Sequence, residues 1–191
     1  MQAAIREIVK KWGRLDIVFA NAGINGVWAP LEELEPEEWD KTLSINLKGT
    51  FLTVKYAVPH LKKEGGSVIV NSSINGTRVF SNTGASAYSS SKAGQVAFTK
   101  MAALELAPWK VRVNVICPGA IETSIDDNTD RRNLDKVQTP VEFPDTDKPL
   151  ERKPGSAEQV ARLVLFLASD ASDHITGTET WIDGAESLIR G

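Results

Sequence analysis

Hydrophobic positions along the chain switch between helical and strand spacing. Ile5, Ile8 and Val9 recur on one helical face between Gln2 and Trp12, and Gly13 stands where such a helix ends. Leu15 to Ala20 is a short apolar run stopped by Asn21-Ala22-Gly23, the pattern of a buried strand. Pro36-Glu37-Glu38 opens a second helix, with proline in its first turn and acids facing the helix dipole. The apolar spacing carries that helix through Trp39, Leu43, Leu47, Phe51 and Val54 to Leu61. Ser67 to Asn71 predicts a second strand, Gly84 to Ala107 a long helix and Val111 to Ile116 a third strand. Glu158 to Ala168 predicts a further helix, and Thr178 to Ile182 a final strand. Residues 122–154, charged and proline-containing, form an excursion with at most one short helix.

Strands separated by helices of this length pair in parallel through right-handed crossovers. The expected fold is therefore α/β: a Rossmann-like, doubly wound, mainly parallel sheet of about four strands with helices on both faces, in a single domain over residues 1–191. Sheets of this kind bind ligands beyond the carboxyl ends of their strands. Asn21-Ala22-Gly23, Asn71-Ser72-Ser73 and Pro118-Gly119 each follow a strand, so all three turns belong at one edge.

At 191 residues the chain buries enough surface to need no metal or disulfide. A net charge of -3 argues against nucleic acid as a partner. No stretch has the length and apolarity of a membrane span, and the first residues are not signal-like. The single Cys117 fits a reducing, cytoplasmic setting and reads as a small buried hydrophobe. Two well-separated histidines, His60 and His174, suggest neither a metal site nor catalysis, and both read as exposed. There is no Gly-x-Ser-x-Gly elbow, and the five tryptophans are too scattered for a stacking platform.

The candidate chemistry lies in Tyr88 and Lys92, four residues apart on one helical face. A neighbouring lysine favours a phenolate, which lets a tyrosine exchange a proton near neutral pH. Ser73, after the second predicted strand, is placed to donate a hydrogen bond to a substrate oxygen. A lone Tyr-x-x-x-Lys pair is commonly a solvated helix face, so the pair alone decides nothing.

The ordered set of pieces is far more specific. Asn21-Ala22-Gly23, Ser44-Ile45-Asn46-Leu47-Lys48-Gly49, Ser72-Ser73, Tyr88-Ser89-Ser90-Ser91-Lys92-Ala93, Arg112 to Gly119, Ile175-Thr176-Gly177 and Trp181 to Ala185 occur in sequence. Together they resemble the short-chain dehydrogenase/reductase family over essentially the whole chain. The resemblance implies an NAD(P)-dependent oxidoreductase that interconverts an alcohol and a carbonyl. Tyr88 would be the general acid/base, and Lys92 would bind the nicotinamide ribose and lower the tyrosine's pKa. Ser73, the second of two serines, would hold the substrate oxygen, and Asn46 would support a water linked to Lys92. Asn21, Ala22 and Gly23 would lie along the cofactor, while Pro118, Gly119, Ile121 and Thr123 would flank its nicotinamide end. It further implies a small-molecule alcohol or carbonyl substrate, no metal, and a homodimer or homotetramer joined through the Trp39–Leu61 and Gly84–Ala107 helices. Residues 122–154 would cover the substrate.

One family element has no counterpart in these residues. The glycine-rich turn that receives the pyrophosphate at a helix N-terminus is absent, and Met1 aligns with a helix that precedes the family's fourth strand. The expectation is an N-terminally truncated form, with the NAD-versus-NADP choice unreadable and the Leu15–Ala20 strand left as an open sheet edge. A second reading follows: an inactive remnant, acting if at all as an oligomerising or binding scaffold.

Overall fold

The structure is a computed structural model that describes residues 1–139 and 147–190. Its elements are α1 (Gln2–Trp12), β1 (Ile17–Ala20), β2 (Gly26–Trp28), α2 (Pro36–Leu43), α3 (Gly49–Glu64), β3 (Gly66–Asn71), α4 (Ser86–Leu106), β4 (Val111–Pro118), β5 (Thr129–Arg131), α5 (Ala157–Ala168), β6 (Glu179–Ile182) and α6 (Glu186–Arg190). The main sheet is wholly parallel in the order β1-β3-β4-β6, which is the predicted set of four strands.

Alternation along β3 and β4 sorts their side chains to two faces. Val68, Val70, Val111, Val113, Val115 and Cys117 join Val54, Leu61, Val96 and Leu106 in a core beneath α1, α3 and α4. Ile69 and Ile116 point the other way, against Leu167 and the inner face of α5. Helices thus cover both faces, as expected.

Polar residues of the strands fasten α5. Its N-terminus is closed by Ser156 and Gln159 in a reciprocal capping box. At its other end the Leu167 carbonyl accepts from Ser67 Oγ at 2.7 Å and from Arg112 Nη1 at 2.8 Å. A guanidinium there also complements the negative end of the helix dipole. Asn114 Nδ2 donates to the Ile175 carbonyl at 2.8 Å, so Arg112 and Asn114 of the family-like segment are structural residues.

Four details differ from the sequence reading. The helix expected from Pro36 to Leu61 is interrupted by a π-helical turn at Ser44–Lys48, where the Asn46 side chain is completely buried. Residues 122–154 contain no α-helix among their described members; instead β5 pairs in parallel with β2 in a separate two-stranded sheet. The part of that excursion spanning residues 140–146 lies outside the described residues. A short terminal helix, α6, follows β6; Asp183 starts it by accepting from the Ala185 and Ser187 amides. His60 is half-buried rather than exposed, whereas His174 is exposed.

Among the described residues β1 pairs only with β3, so it lies at the edge of this sheet. Val18 and Ala20 face the core, but Ile17 and Phe19 are 50% and 39% exposed on the α5 side. None of the described helices is long and apolar enough to cross a membrane.

Candidate active site

The site begins where β3 ends. Ser72 and Ser73 follow the strand, and Gly76 lets their turn lie directly on α4. A Cβ on Gly76 would stand 2.6 Å from the main-chain carbon of Lys92. The two serines are used differently. Ser72 Oγ donates to the Lys92 carbonyl at 2.8 Å and is tied into the scaffold. Ser73 Oγ accepts from the Asn75 amide at 3.1 Å, and its hydroxyl acts on the Tyr88 phenol, favouring the ionised form. The geometry separates the two serines that the sequence left side by side.

Tyr88 and Lys92 occupy the buried face of α4, with the ammonium 5.5 Å from the tyrosine ring centroid. Burial dominates the electrostatics of both. It raises the Tyr88 pKa above its ordinary value, and the hydrogen bond from Ser73 offsets part of that rise. Burial also pulls Lys92 down to about 8, because a charged ammonium is poorly solvated there. The expected lowering of Tyr88 by Lys92 is therefore not the net direction in this structure. The reason is geometric: Lys92 Nζ donates to the Asn71 carbonyl at 2.9 Å rather than to the phenol. Cys117 lies near enough for mutual influence, but burial pushes its thiol up to about 12, consistent with an inert core residue.

Asn46 is a staple. Its Oδ1 accepts from the Ile24 amide and its Nδ2 donates to the Ile24 carbonyl, each at 2.9 Å. The Asn46 main-chain carbonyl, in the π-helical turn, accepts from Thr50 Oγ1 and Gln95 Nε2 as well as from the Gly49 amide. This fixes residues 21–25 beside α4. Gly23 then sits so close that an added Cβ would be 3.2 Å from Asn46 Oδ1 and 3.5 Å from Lys92 Nζ. Asn21 Oδ1 accepts from Asn71 Nδ2 at 2.7 Å, linking the ends of β1 and β3.

These residues border a cleft of about 910 Å³. Asn21, Gly23, Ser73, Tyr88, Lys92, Pro118, Gly119, Ile121 and Thr123 all line it. Of the other candidates, Ala22 is exposed and Asn46 lies behind the wall; neither is a lining residue. The cleft also contains residues that motif reading passed over: Asn25, Trp28, Asn75, Asn82 and Glu186. Trp28 belongs to β2, and its ring lies 6.4 Å from that of Tyr88. Packing of β2 against α2, α4 and β5 brings it there, so its place among five scattered tryptophans gave no sign of it. Glu186 Oε2 accepts from the Ala120 amide at 2.9 Å and positions the loop after β4. Among the described residues no group of acidic, histidine or cysteine side chains is arranged to hold a metal.

Residues 1–185 match the family profile described as enoyl-(acyl carrier protein) reductase. The chain belongs to the short-chain dehydrogenase/reductase family. It is 36% identical over 185 residues to a 3-oxoacyl-[acyl-carrier-protein] reductase of Thermotoga maritima, covering 96% of this chain and 71% of the relative. Trans-4-hydroxycyclohexanecarboxylate dehydrogenase of Sinomonas cyclohexanicum is also 36% identical, over 97% of this chain and 65% of its own length. A 3-ketoacyl-ACP reductase from Sinorhizobium meliloti superposes with a TM-score of 0.95 at 52% identity, over 99% of this chain and 75% of that one. The Brucella melitensis 3-ketoacyl-(acyl-carrier-protein) reductase, solved in complex with NADH, superposes at 0.83 with 28% identity, over 97% and 72% of the two chains. The chain is thus, by resemblance, an enzyme of the oxidoreductase class, with a Rossmann-like fold shared with these proteins.

Proposed function

We propose that this chain carries the catalytic half of an NAD(P)-dependent oxidoreductase that interconverts an alcohol and a carbonyl. The observation that carries the reading is the alignment of Ser73, Tyr88 and Lys92 along one wall of a cleft outside the strand ends. The residues fit the nicotinamide-ribose half of a dinucleotide. A Cβ at Gly23 would press on Asn46 Oδ1 and stand against Lys92 Nζ, and Asn71 Oδ1 is buried there without a hydrogen-bond partner. Asn21 and Lys92 offer groups for ribose hydroxyls, while Pro118, Gly119, Ile121 and Thr123 lie at the opposite wall. When bound, the nicotinamide supplies or accepts the hydride.

The chain's own part is the proton. In the reducing direction Ser73 holds the carbonyl oxygen, and Tyr88 gives its phenolic proton to that oxygen as the carbon is reduced. In oxidation the phenolate takes the proton from the alcohol. Lys92, whose own proton is weakly held, stands one helical turn away to stabilise the phenolate. Asn46 acts by positioning: it holds Gly23 and Ile24 beside α4, where a water linked to Lys92 would complete a proton relay. The choice between NAD and NADP follows from none of these groups. Assembly as a homodimer or homotetramer is part of the same proposal, supported by Phe51, Met101 and Leu104, which are 42%, 70% and 77% exposed on α3 and α4. The free Cys117 thiol fits a cytoplasmic setting.

Titration calorimetry with NADH and NADPH on the 191-residue chain tests the reading. Saturable micromolar binding, with turnover that Tyr88→Phe removes, is the expected result. Absence of binding up to millimolar cofactor rejects it, and favours a chain that keeps the site without using it.

A further inference from the structure

The cleft wall beyond Tyr88 is built for hydrogen bonding to a substrate's neighbouring oxygens, which narrows the substrate class. Three carboxamides line the cleft, two of them joined to each other, and each is only half used by the protein. Asn25 is 7% exposed, and its Nδ2 donates to Thr129 Oγ1 at 2.7 Å. Asn75, also 7% exposed, accepts at Oδ1 from Asn82 Nδ2 at 3.3 Å. Among the described residues the Asn25 oxygen, the Asn75 nitrogen and the Asn82 oxygen take no side-chain hydrogen bond from the protein. Beside them stands the Trp28 ring, held 6.4 Å from Tyr88, with a buried indole N–H that has no partner.

An unused carboxamide in a half-closed cleft is a liability for an apolar substrate, since covering it without a hydrogen bond forfeits its hydration. For a hydroxylated substrate the same groups are partners, each able to take or give one bond. An aromatic face beside such groups complements the C–H face of a polyol. A bare acyl chain or unsubstituted ring would leave all three carboxamides uncompensated.

We infer that the substrate is a polyol or sugar, with at least one hydroxyl beside the carbon that is oxidised, rather than a monofunctional alcohol or an acyl thioester. The inference rests on the oxidoreductase reading above and narrows its substrate. Asn25, Asn75 and Asn82 are the specificity-determining residues, with Trp28 as the stacking face.

The test compares myo-inositol and sorbitol with cyclohexanol and a 3-hydroxybutyryl thioester, using both NAD and NADP. The same four compounds are examined for binding to the chain by saturation-transfer NMR. A kcat/KM for a polyol at least tenfold above cyclohexanol is expected, because a site built around hydroxyls strongly rejects analogues that lack them. Asn82→Leu is expected to lower that ratio about tenfold. Equal or better turnover of cyclohexanol or the thioester would overturn the inference while leaving the oxidoreductase reading intact. If nothing is oxidised, that reading fails, and the NMR decides the inference separately. Polyol transfer abolished by Asn82→Leu sustains it, and no polyol transfer overturns it.

Discussion

Lys92 directs its ammonium at the main-chain carbonyl of Asn71, 2.9 Å away, from a position that is only 3% exposed. A single hydrogen bond is a poor substitute for the water a charged lysine loses. Its pKa accordingly falls from 10.5 to about 8. A depressed lysine means that the unfolded chain binds more protons than the folded one between those two values. Stability therefore rises with pH across that window, and below it the full penalty, about 3 kcal/mol, weighs against the fold.

Replacing Lys92 by Met should remove that penalty at the cost of one hydrogen bond. The net gain expected at pH 7 is about 2 kcal/mol, together with loss of oxidoreductase activity. Urea melts of the wild type and Lys92→Met at pH 7 and pH 10 check this. The advantage of the variant should shrink at the higher pH; an advantage that is equal at both would sink the argument.

Tyr88→Phe is expected to reduce turnover by about 10²- to 10⁴-fold, the range for losing a positioned acid/base. The raised pKa of Tyr88 adds a pH signature. Below that pKa the phenolate fraction grows with pH, so alcohol oxidation should accelerate from pH 7 to 9, while carbonyl reduction, which needs the phenol, should not. Initial rates in both directions across that range test the assignment. An oxidation rate that is flat with pH would remove Tyr88 from the role of base.

Much of this arrangement was readable in the sequence. Strand runs such as Ser67–Asn71 and Val111–Ile116 are continuous and apolar, and turn residues end them, so both the parallel sheet and its ligand edge followed. Tyr88 and Lys92 were legible because helical spacing is local. What escaped depends on long-range contact. The π-helical turn at Asn46 arises from bonds to Ile24, Ser91 and Gln95, residues 22 to 49 positions away. Trp28 enters the site because β2 packs against α2 and α4 and pairs with β5, roughly a hundred residues on. The pKa direction of Tyr88 depends on burial and on where the Lys92 ammonium points, and neither is encoded in a four-residue spacing.

The two serines after β3 should separate in function. Ser73→Ala removes a donor to the Tyr88 oxygen and to a bound substrate oxygen, and a loss of about 10²-fold in kcat is expected. Ser72→Ala breaks a buried bond to the Lys92 carbonyl, costing about 1 kcal/mol of stability with little change in kcat. Paired kinetics and thermal melts of the two variants distinguish them. The reverse pattern would assign the substrate oxygen to Ser72.

The segment that follows β5 is tied by charge to the turn before α2 and to its first turn. Arg132 forks onto both carboxylate oxygens of Glu38, at 2.9 and 2.8 Å, and Lys136 reaches Glu33 at 2.6 Å. Through β5 this clamp fixes Thr129 on Asn25 and Arg131 beside Trp28. Arg132→Ala should therefore raise substrate KM several-fold while leaving the melting temperature nearly unchanged, because the clamp is partly exposed. Added salt should raise the wild-type KM in the same direction and the variant's much less. A KM unaffected by either change would mean that the segment does not order the substrate wall.

The open edge of β1 makes the last prediction. Its free backbone groups lie beside Ile17 and Phe19, which are half-exposed on the α5 side, with Phe166 of α5 also 41% exposed on the surface. An edge strand flanked by apolar side chains invites pairing with another strand. A lysine at position 17 keeps the backbone conformation but places a charge on that face, which opposes edge-to-edge association. Ile17→Lys should consequently lower concentration-dependent self-association in sedimentation velocity. Any assembly through α3 and α4 should persist, because that face carries Phe51, Met101 and Leu104 instead. If Ile17→Lys and wild type sediment alike at every concentration, the β1 edge is not the associating surface. If Met101→Lys and Leu104→Lys alone dissociate the particle, assembly runs entirely through the helices.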